Sequence, residues 1–139
     1  MVSWKLIVYC IAAAGVWLFV ASLLLDLIAR ALRLASSVPA DLVEKTSPAL
    51  TLANFVMELI FYVGIPTMAY SFFYFLIPLS GVRAGMAAAL MAFGLGAVPT
   101  VMSISLRLRL PAPYLLYVLL SVLIKLGGSL SIIAYLYSL

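Results

Sequence analysis

The chain has 139 residues, of which 68% are hydrophobic and only 9% carry a charged side chain. A soluble domain has about 25% charged residues, so a chain this short and this apolar lacks the polar side chains needed to cover a water-soluble core. A lipid bilayer is the solvent that fits. Within it, the net charge of +4 is no argument for binding nucleic acid, because most charges lie near the ends of apolar runs.

The cysteine and histidine content excludes several kinds of site. The chain has one cysteine, Cys10, and no histidine. A lone thiol forms no internal disulfide, and the imidazole or paired thiolate ligands of zinc, copper and haem sites are missing. We therefore expect no metal and no cofactor. Histidine-based acid–base catalysis is excluded as well, so an enzyme is the least expected class.

The first predicted span covers residues 4–28. The small residues of Val38-Pro-Ala40 resemble a signal-peptide cleavage site, but the apolar run before them exceeds the roughly 7–15 residues of a signal core. We therefore expect a retained helix. Near its end, Asp26 and Arg30 are four residues apart, a spacing that predicts an ion pair on the helix surface.

The second predicted span covers residues 50–77 and carries a polar stripe. Thr51, Asn54, Glu58 and Tyr62 recur at helical spacing, and Glu58 is the only carboxylate well inside any span. Pro66 lacks an N–H group and leaves the carbonyl of Tyr62 without its helical partner. A kink is therefore predicted next to this stripe.

The third predicted span covers residues 82–106, with a second kink predicted at Pro99. Small residues that recur along one face let helix backbones approach closely. Packing within the chain or between copies explains such a stripe, and a ligand groove is the alternative. The stripe comprises Gly81, Gly85, Ala89, Ala92, Gly96, Thr100 and Ser103.

The fourth predicted span covers residues 112–137 and has Lys125 near its middle. A lysine there costs about 2.5–3.5 kcal/mol on insertion scales, so it should face the bundle interior. The opposite face, which includes Leu116 and Leu130, is predicted to meet lipid. The predicted interior stripe comprises Tyr114, Tyr117, Ser121, Lys125, Gly128 and Tyr135.

The polar residues of the second and fourth spans lie at compatible depths. At 1.5 Å per residue, Glu58 lies about 12 Å and Lys125 about 20 Å into its span, and both side chains lean toward the helix N-terminus. We predict that they face one interior, and that Glu58, Lys125, Asn54, Tyr62 and Ser121 form a substrate-binding site. The alternative is a pair that only locks helix register.

Lysine and arginine counts predict the orientation. The N-terminus and second loop carry Lys5 and Arg83, whereas the first and third loops carry five such residues, so the first and third loops should be cytoplasmic and both termini outside. The five are Arg30, Arg33, Lys45, Arg107 and Arg109.

The C-terminal half resembles small four-helix bacterial integral membrane proteins of no assigned function. The resemblance lies in IPLSGVRAGMAAALMAFGLGAVP followed by PAPYLLYVLLSVLIKLGGSLSIIAYLY: a GxxxG helix start, a proline near the helix end, and a last helix with Gly-Gly and a closing tyrosine. It implies a four-helix fold and carries over no functional residue.

Together these features predict an all-α integral membrane bundle of four transmembrane helices, a single domain over residues 1–139, in the cell membrane. The preferred function is a transporter-like or channel-like protein with a polar site around Glu58 and Lys125. The alternative is a structural or accessory subunit of a larger membrane assembly. The expected partners are the lipid bilayer and either further copies of the chain or other membrane subunits.

Overall fold

The computed structural model describes residues 3–42 and 45–139. It has four helical segments long and apolar enough to cross a membrane: Trp4–Ala31, Pro48–Leu76, Gly81–Arg107 and Ala112–Tyr137. These bounds lie within three residues of the predicted ones, and they confirm the all-α fold of four membrane-spanning helices. We call them the first to fourth spans. The single-domain prediction includes residues 1–2 and 43–44, which lie outside the described residues.

Local chemistry sets where the spans begin. The first loop contains two short 3₁₀ turns, Leu34–Ser37 and Ala40–Leu42. The second span then starts at Pro48, whose missing N–H costs nothing in a first helical turn, and the N–H of Leu50 donates to Ser47 Oγ at 3.1 Å. The third span starts at Gly81, whose φ of +60° suits a residue without a Cβ.

The second and third spans are interrupted in the same way. Each contains a five-residue π turn, Ile60–Gly64 in the second span and Phe93–Ala97 in the third, and each turn ends two residues before a proline, Pro66 or Pro99. The α-helical parts are Pro48–Leu59 and Ile65–Phe73 in the second span, and Gly81–Ala92 and Val98–Arg107 in the third.

These π turns refine the predicted kinks. The sequence predicted that each proline leaves one helical carbonyl without its partner. In the structure, the residue before each proline already bonds to the carbonyl five residues earlier: Ile65 N–H bonds to Ile60 O, and Val98 N–H to Phe93 O. A π turn holds one residue more than an α turn. Each proline therefore follows a segment in which the helical register has already shifted.

The fourth span is the centre of the bundle. It packs against the first span and against Gly81–Ala92 of the third, whereas the second span reaches it through the π turn and Ile65–Phe73. Two glycines permit close approach: a Cβ on Gly85 would collide with the backbone of Leu130, and a Cβ on Gly128 would collide with the Trp17 ring. The small-residue stripe of the third span thus serves packing within the chain over its first half.

This central position corrects the predicted faces of the fourth span. Leu130, assigned to the lipid face, is buried at 6% exposure, whereas Tyr135, assigned to the interior, is 50% exposed. The fourth span is covered by neighbours on two sides. A single polar stripe therefore cannot describe which of its residues are interior.

The two ends of the bundle differ. We call the end with the second loop the closed end, and the end with the first and third loops the open end. Neither Pro48–Leu59 nor Val98–Arg107, the two half-spans at the open end, contains a buried residue. The buried residues of the fourth span lie only in its closed half, from Lys125 to Ala134. The second and third spans thus pack against the bundle at the closed end and diverge at the open end. The first and fourth spans stay in contact there, since Leu25 is buried and the Tyr117 hydroxyl donates to its carbonyl at 2.9 Å.

Candidate functional site

A cleft of about 610 Å³ lies between the first span and the first half of the second span. It lies where residues 48–54 of the second span are all exposed, whereas Phe55, Glu58 and Leu59 are half-buried against the bundle. The exposed loop residues Thr46 and Ser47 line its mouth at the open end, and Lys125 of the fourth span lines its inner end. Its other polar lining residues are Ser22, Asp26, Thr51, Asn54 and Glu58.

An ion pair occupies the inner end of the cleft. Lys125 Nζ lies 2.7 Å from Glu58 Oε1 and 2.8 Å from Oε2, and Ser22 Oγ donates to Oε2 at 3.3 Å. These bonds join the first, second and fourth spans. The prediction that Glu58 and Lys125 face the same interior is confirmed.

The energetics explain why these side chains meet. Lys125 is only 8% exposed, and an uncompensated ammonium at that depth would cost about 2.5–3.5 kcal/mol on insertion scales. Two short charge-assisted hydrogen bonds offset this cost, and the Ser22 hydroxyl donates a third hydrogen bond to the carboxylate. Removing either charge would leave its partner without compensation.

Asp26 belongs to the cleft rather than to the helix surface. The predicted Asp26–Arg30 ion pair is wrong, since Glu58–Lys125 is the one ion pair among residues 3–42 and 45–139. An exposed pair at this spacing stabilises a helix by only about 0.2–0.5 kcal/mol, so the spacing alone does not fix the two side chains together. Asp26 is exposed and lines the cleft instead.

The other predicted site residues divide between the cleft and its surroundings. Asn54 lines the cleft. Tyr62 is half-buried against the apolar core and borders a different cavity, because it lies within the π turn, where the helical spacing that relates it to Glu58 no longer holds. Ser121 is half-buried and is not one of the residues that line the cleft. Substrate binding by these residues stays a prediction.

The sequence reading missed the contribution of the first span. Phe19, Ser22 and Asp26 all line the cleft and follow one another at three- and four-residue steps, which places them on one helix face. Ser22 and Asp26 are the two polar residues on that face. Their four-residue spacing could have identified the first span as a wall of the polar site.

The cleft ends at the apolar core of the closed end. Leu18, one turn from Ser22, and Val63, in the π turn after Glu58, are fully buried in one cluster with Ile133. Thr67 and Ser129 lie farther toward the closed end, and their hydroxyls are buried without a hydrogen-bond partner among the described residues. The ion pair therefore faces the cleft on one side and a packed core on the other.

A second cavity, which we call the apolar groove, lies between the second and third spans and has a volume of about 710 Å³. Its walls include Phe61, Ile65, Ala92, Gly96 and Leu126. The second half of the small-residue stripe thus borders this groove rather than the fourth span alone. No charged side chain is among the described residues that line it.

No group of three or more histidine, cysteine or acidic side chains within residues 3–42 and 45–139 is placed to hold a metal ion.

Comparison with protein-family models, curated proteins and solved structures finds no match to this chain. The resemblance of the C-terminal half to small four-helix bacterial membrane proteins stays an expectation. What defines the class is the fold: a small protein with four candidate membrane-spanning helices.

Proposed function

We propose that this protein is a transport-type membrane protein that binds a polar solute in the cleft between its first and second spans. The observation that supports the proposal is the position of the Glu58–Lys125 pair at the inner end of a cleft of about 610 Å³ whose mouth lies at the first loop. Ionisable residues within a membrane usually mark a substrate or ion pathway.

The cleft favours transport over a pair that only locks helix register. A register lock needs no approach from water, and tight packing around both charges would serve it better. Here Glu58 keeps 20% of its side chain exposed, and residues 48–54, which precede it in the same helix, are all exposed. The π turn and Pro66 lie directly after Glu58 in the chain. π turns often lie at functional sites, and this one is a place where the half-span could swing.

The orientation belongs to the same proposal. The first and third loops carry five lysine and arginine residues against two on the opposite side, so these loops are cytoplasmic by the positive-inside rule. Both termini then lie outside the cell membrane, and the cleft opens toward the cytoplasm. The structure then corresponds to a state open to the cytoplasm and closed to the outside.

Thiol modification tests the proposal. In a Cys10→Ala background, Ser22→Cys places a thiol in the cleft, and Val20→Cys places one at a similar depth on an exposed apolar face. Ser36→Cys, in the first loop, marks which side of a sealed vesicle bears the open end. A membrane-impermeant thiol reagent is then added from one side at a time.

A transport cycle requires the cleft to open alternately to both sides. We expect the thiol of Ser22→Cys to react from both sides and that of Val20→Cys to react from neither. Reaction of Ser22→Cys from the first-loop side alone would indicate a fixed pocket and contradict transport. No reaction from either side in folded protein would indicate a dry structural pair.

A second candidate function is an accessory subunit of a larger membrane assembly. The apolar groove favours it, because the groove has a volume of about 710 Å³ and is lined in part by small residues, which permit the close approach of another helix. The mass of the complex purified in mild detergent separates the two functions. Unlike chains in stable stoichiometry favour the accessory subunit, whereas a monodisperse complex of this chain alone favours transport.

A further inference from the structure

The cleft combines carboxylates, aromatic rings and an internal ammonium group. From this combination we infer that its ligand is an organic ammonium ion, a protonated amine carried on an apolar body. The inference rests on the proposed function, in that the cleft must be open to a solute, and it names the chemical class of that solute. Three independent features of the cleft carry it.

The first feature is charge. The charged side chains that line the cleft are Asp26, Glu58 and Lys125, so its walls carry two negative charges and one positive charge. Lys125 is already bonded to both oxygens of Glu58, whereas Asp26 is in no ion pair among the described residues. A cation entering the cleft meets the exposed carboxylate of Asp26, whereas the one positive side chain among the described lining residues is already bonded to Glu58.

The second feature is the ammonium group already present. The Lys125 Nζ shows that Glu58 can hold an alkylammonium at 2.7–2.8 Å with both of its oxygens, next to the hydroxyl of Ser22. Lys125 is therefore a tethered stand-in for the charged end of the ligand. A ligand ammonium bound between Asp26 and Glu58 competes with Lys125 for the same carboxylate.

The third feature is the apolar wall. The rings of Phe19 and Phe55 pack edge to face across the cleft with centroids 5.9 Å apart, and Leu23 and Leu52 extend the apolar surface. Aromatic faces attract ammonium groups and offer contact area to the apolar body of an organic ion. A bare inorganic cation would gain little from such walls, because hard cations prefer a shell of about six to eight oxygen ligands.

The experiment compares three probes that share a 2-phenylethyl body and differ in the charge of the end group: 2-phenylethylammonium, 2-phenylethanol and 3-phenylpropionate. Binding to the purified full-length protein in detergent is measured by calorimetry at low salt, with protein-free micelles as the blank. We expect the cation to bind at least about tenfold more tightly than the alcohol, and the anion most weakly. Equal affinities, or tightest binding of the anion, would overturn the inference.

Two variants test whether the cleft prefers a positive or a negative ligand. Lys125→Met removes the competitor for Glu58, so the affinity for the cation should rise about tenfold, whereas an anion site would lose affinity on the same change. Asp26→Asn should weaken cation binding about tenfold, while the control Asp41→Asn, an equal change of charge in the exposed first loop, should leave it within about twofold. Weaker cation binding by folded Lys125→Met would contradict the inference.

Size-exclusion profiles establish which variants are folded. If Lys125→Met does not fold, the comparison of Asp26→Asn with Asp41→Asn decides alone, and equal affinities in these two variants would overturn the inference. Its failure is distinguishable from failure of the proposed function. If the thiol of Ser22→Cys reacts from both sides but the protein binds the anion most tightly, the transport proposal stands and the ammonium ligand is rejected.

Discussion

The closed and open ends of this bundle are built from the same four spans but pack differently. At the closed end small residues such as Ala84 and Gly85 bring the third span onto the fourth, and both residues are buried. At the open end Pro48–Leu59 and Val98–Arg107 contain no buried residue. In the second and third spans the change falls at the π turn and the proline that follows it, whereas the first and fourth spans are continuous α-helices. Hydropathy makes all four segments membrane-spanning, while the π turns separate the parts that pack from the parts that diverge.

The largest expected effect concerns the ion pair at the border between the two ends. Lys125→Met or Glu58→Gln alone should lower the free energy of unfolding by about 3 kcal/mol, because each leaves a buried charge without its partner. The double variant should recover much of this loss. Unfolding in mixed micelles with increasing SDS measures all three, with Met91→Leu as the control. Met91 lies as far before Pro99 as Glu58 lies before Pro66, and it is 70% exposed. A double variant as unstable as the sum of the single variants would show that the two charges do not interact.

A smaller effect separates the tight and loose parts of the third span. Gly85→Ala should cost about 1–3 kcal/mol, because the new methyl group meets the backbone of Leu130 and Ser131, which cannot rotate away. Gly96→Ala should be neutral or stabilise by up to about 1 kcal/mol, because nothing lies within 4 Å of its Cβ position and alanine favours a helix. The same SDS titration measures both. Equal losses at the two glycines would mean that the third span is packed alike along its whole length.

The smallest effect compares the threonines that follow the two prolines. The hydroxyl of Thr67 is fully buried without a partner among the described residues, whereas Thr100 Oγ1 donates to Gly96 O at 2.7 Å. Thr67→Val should therefore stabilise by about 1 kcal/mol, and Thr100→Val should destabilise by about 0.5–1 kcal/mol. Opposite signs in the SDS titration support a dry closed end. A loss of stability in Thr67→Val would show that its hydroxyl has a hydrogen-bond partner and would contradict a closed end in which this group is unsatisfied.

The parts that sequence reasoning predicted depend on local pattern. Span bounds follow from runs of apolar residues, and the Glu58–Lys125 pair follows from the rarity of charge at that depth combined with one estimate of rise per residue. The parts it missed depend on which span lies next to which. Leu130 is buried because the third span covers it, and Tyr62 leaves the stripe of Glu58 because a π turn widens the helix. Only the nearby proline hints at that turn in the sequence.

The central claim is that Glu58 is an ionised carboxylate held by Lys125 at the inner end of the cleft, and infrared difference spectroscopy tests it most directly. The chain has only four acidic side chains, so the difference between wild type and Glu58→Gln at neutral pH isolates a single group. We expect this difference to show the loss of a carboxylate band. If the Glu58→Gln substitution instead removes a protonated carboxyl band, Glu58 is not ionised in the wild-type protein and the central claim is wrong.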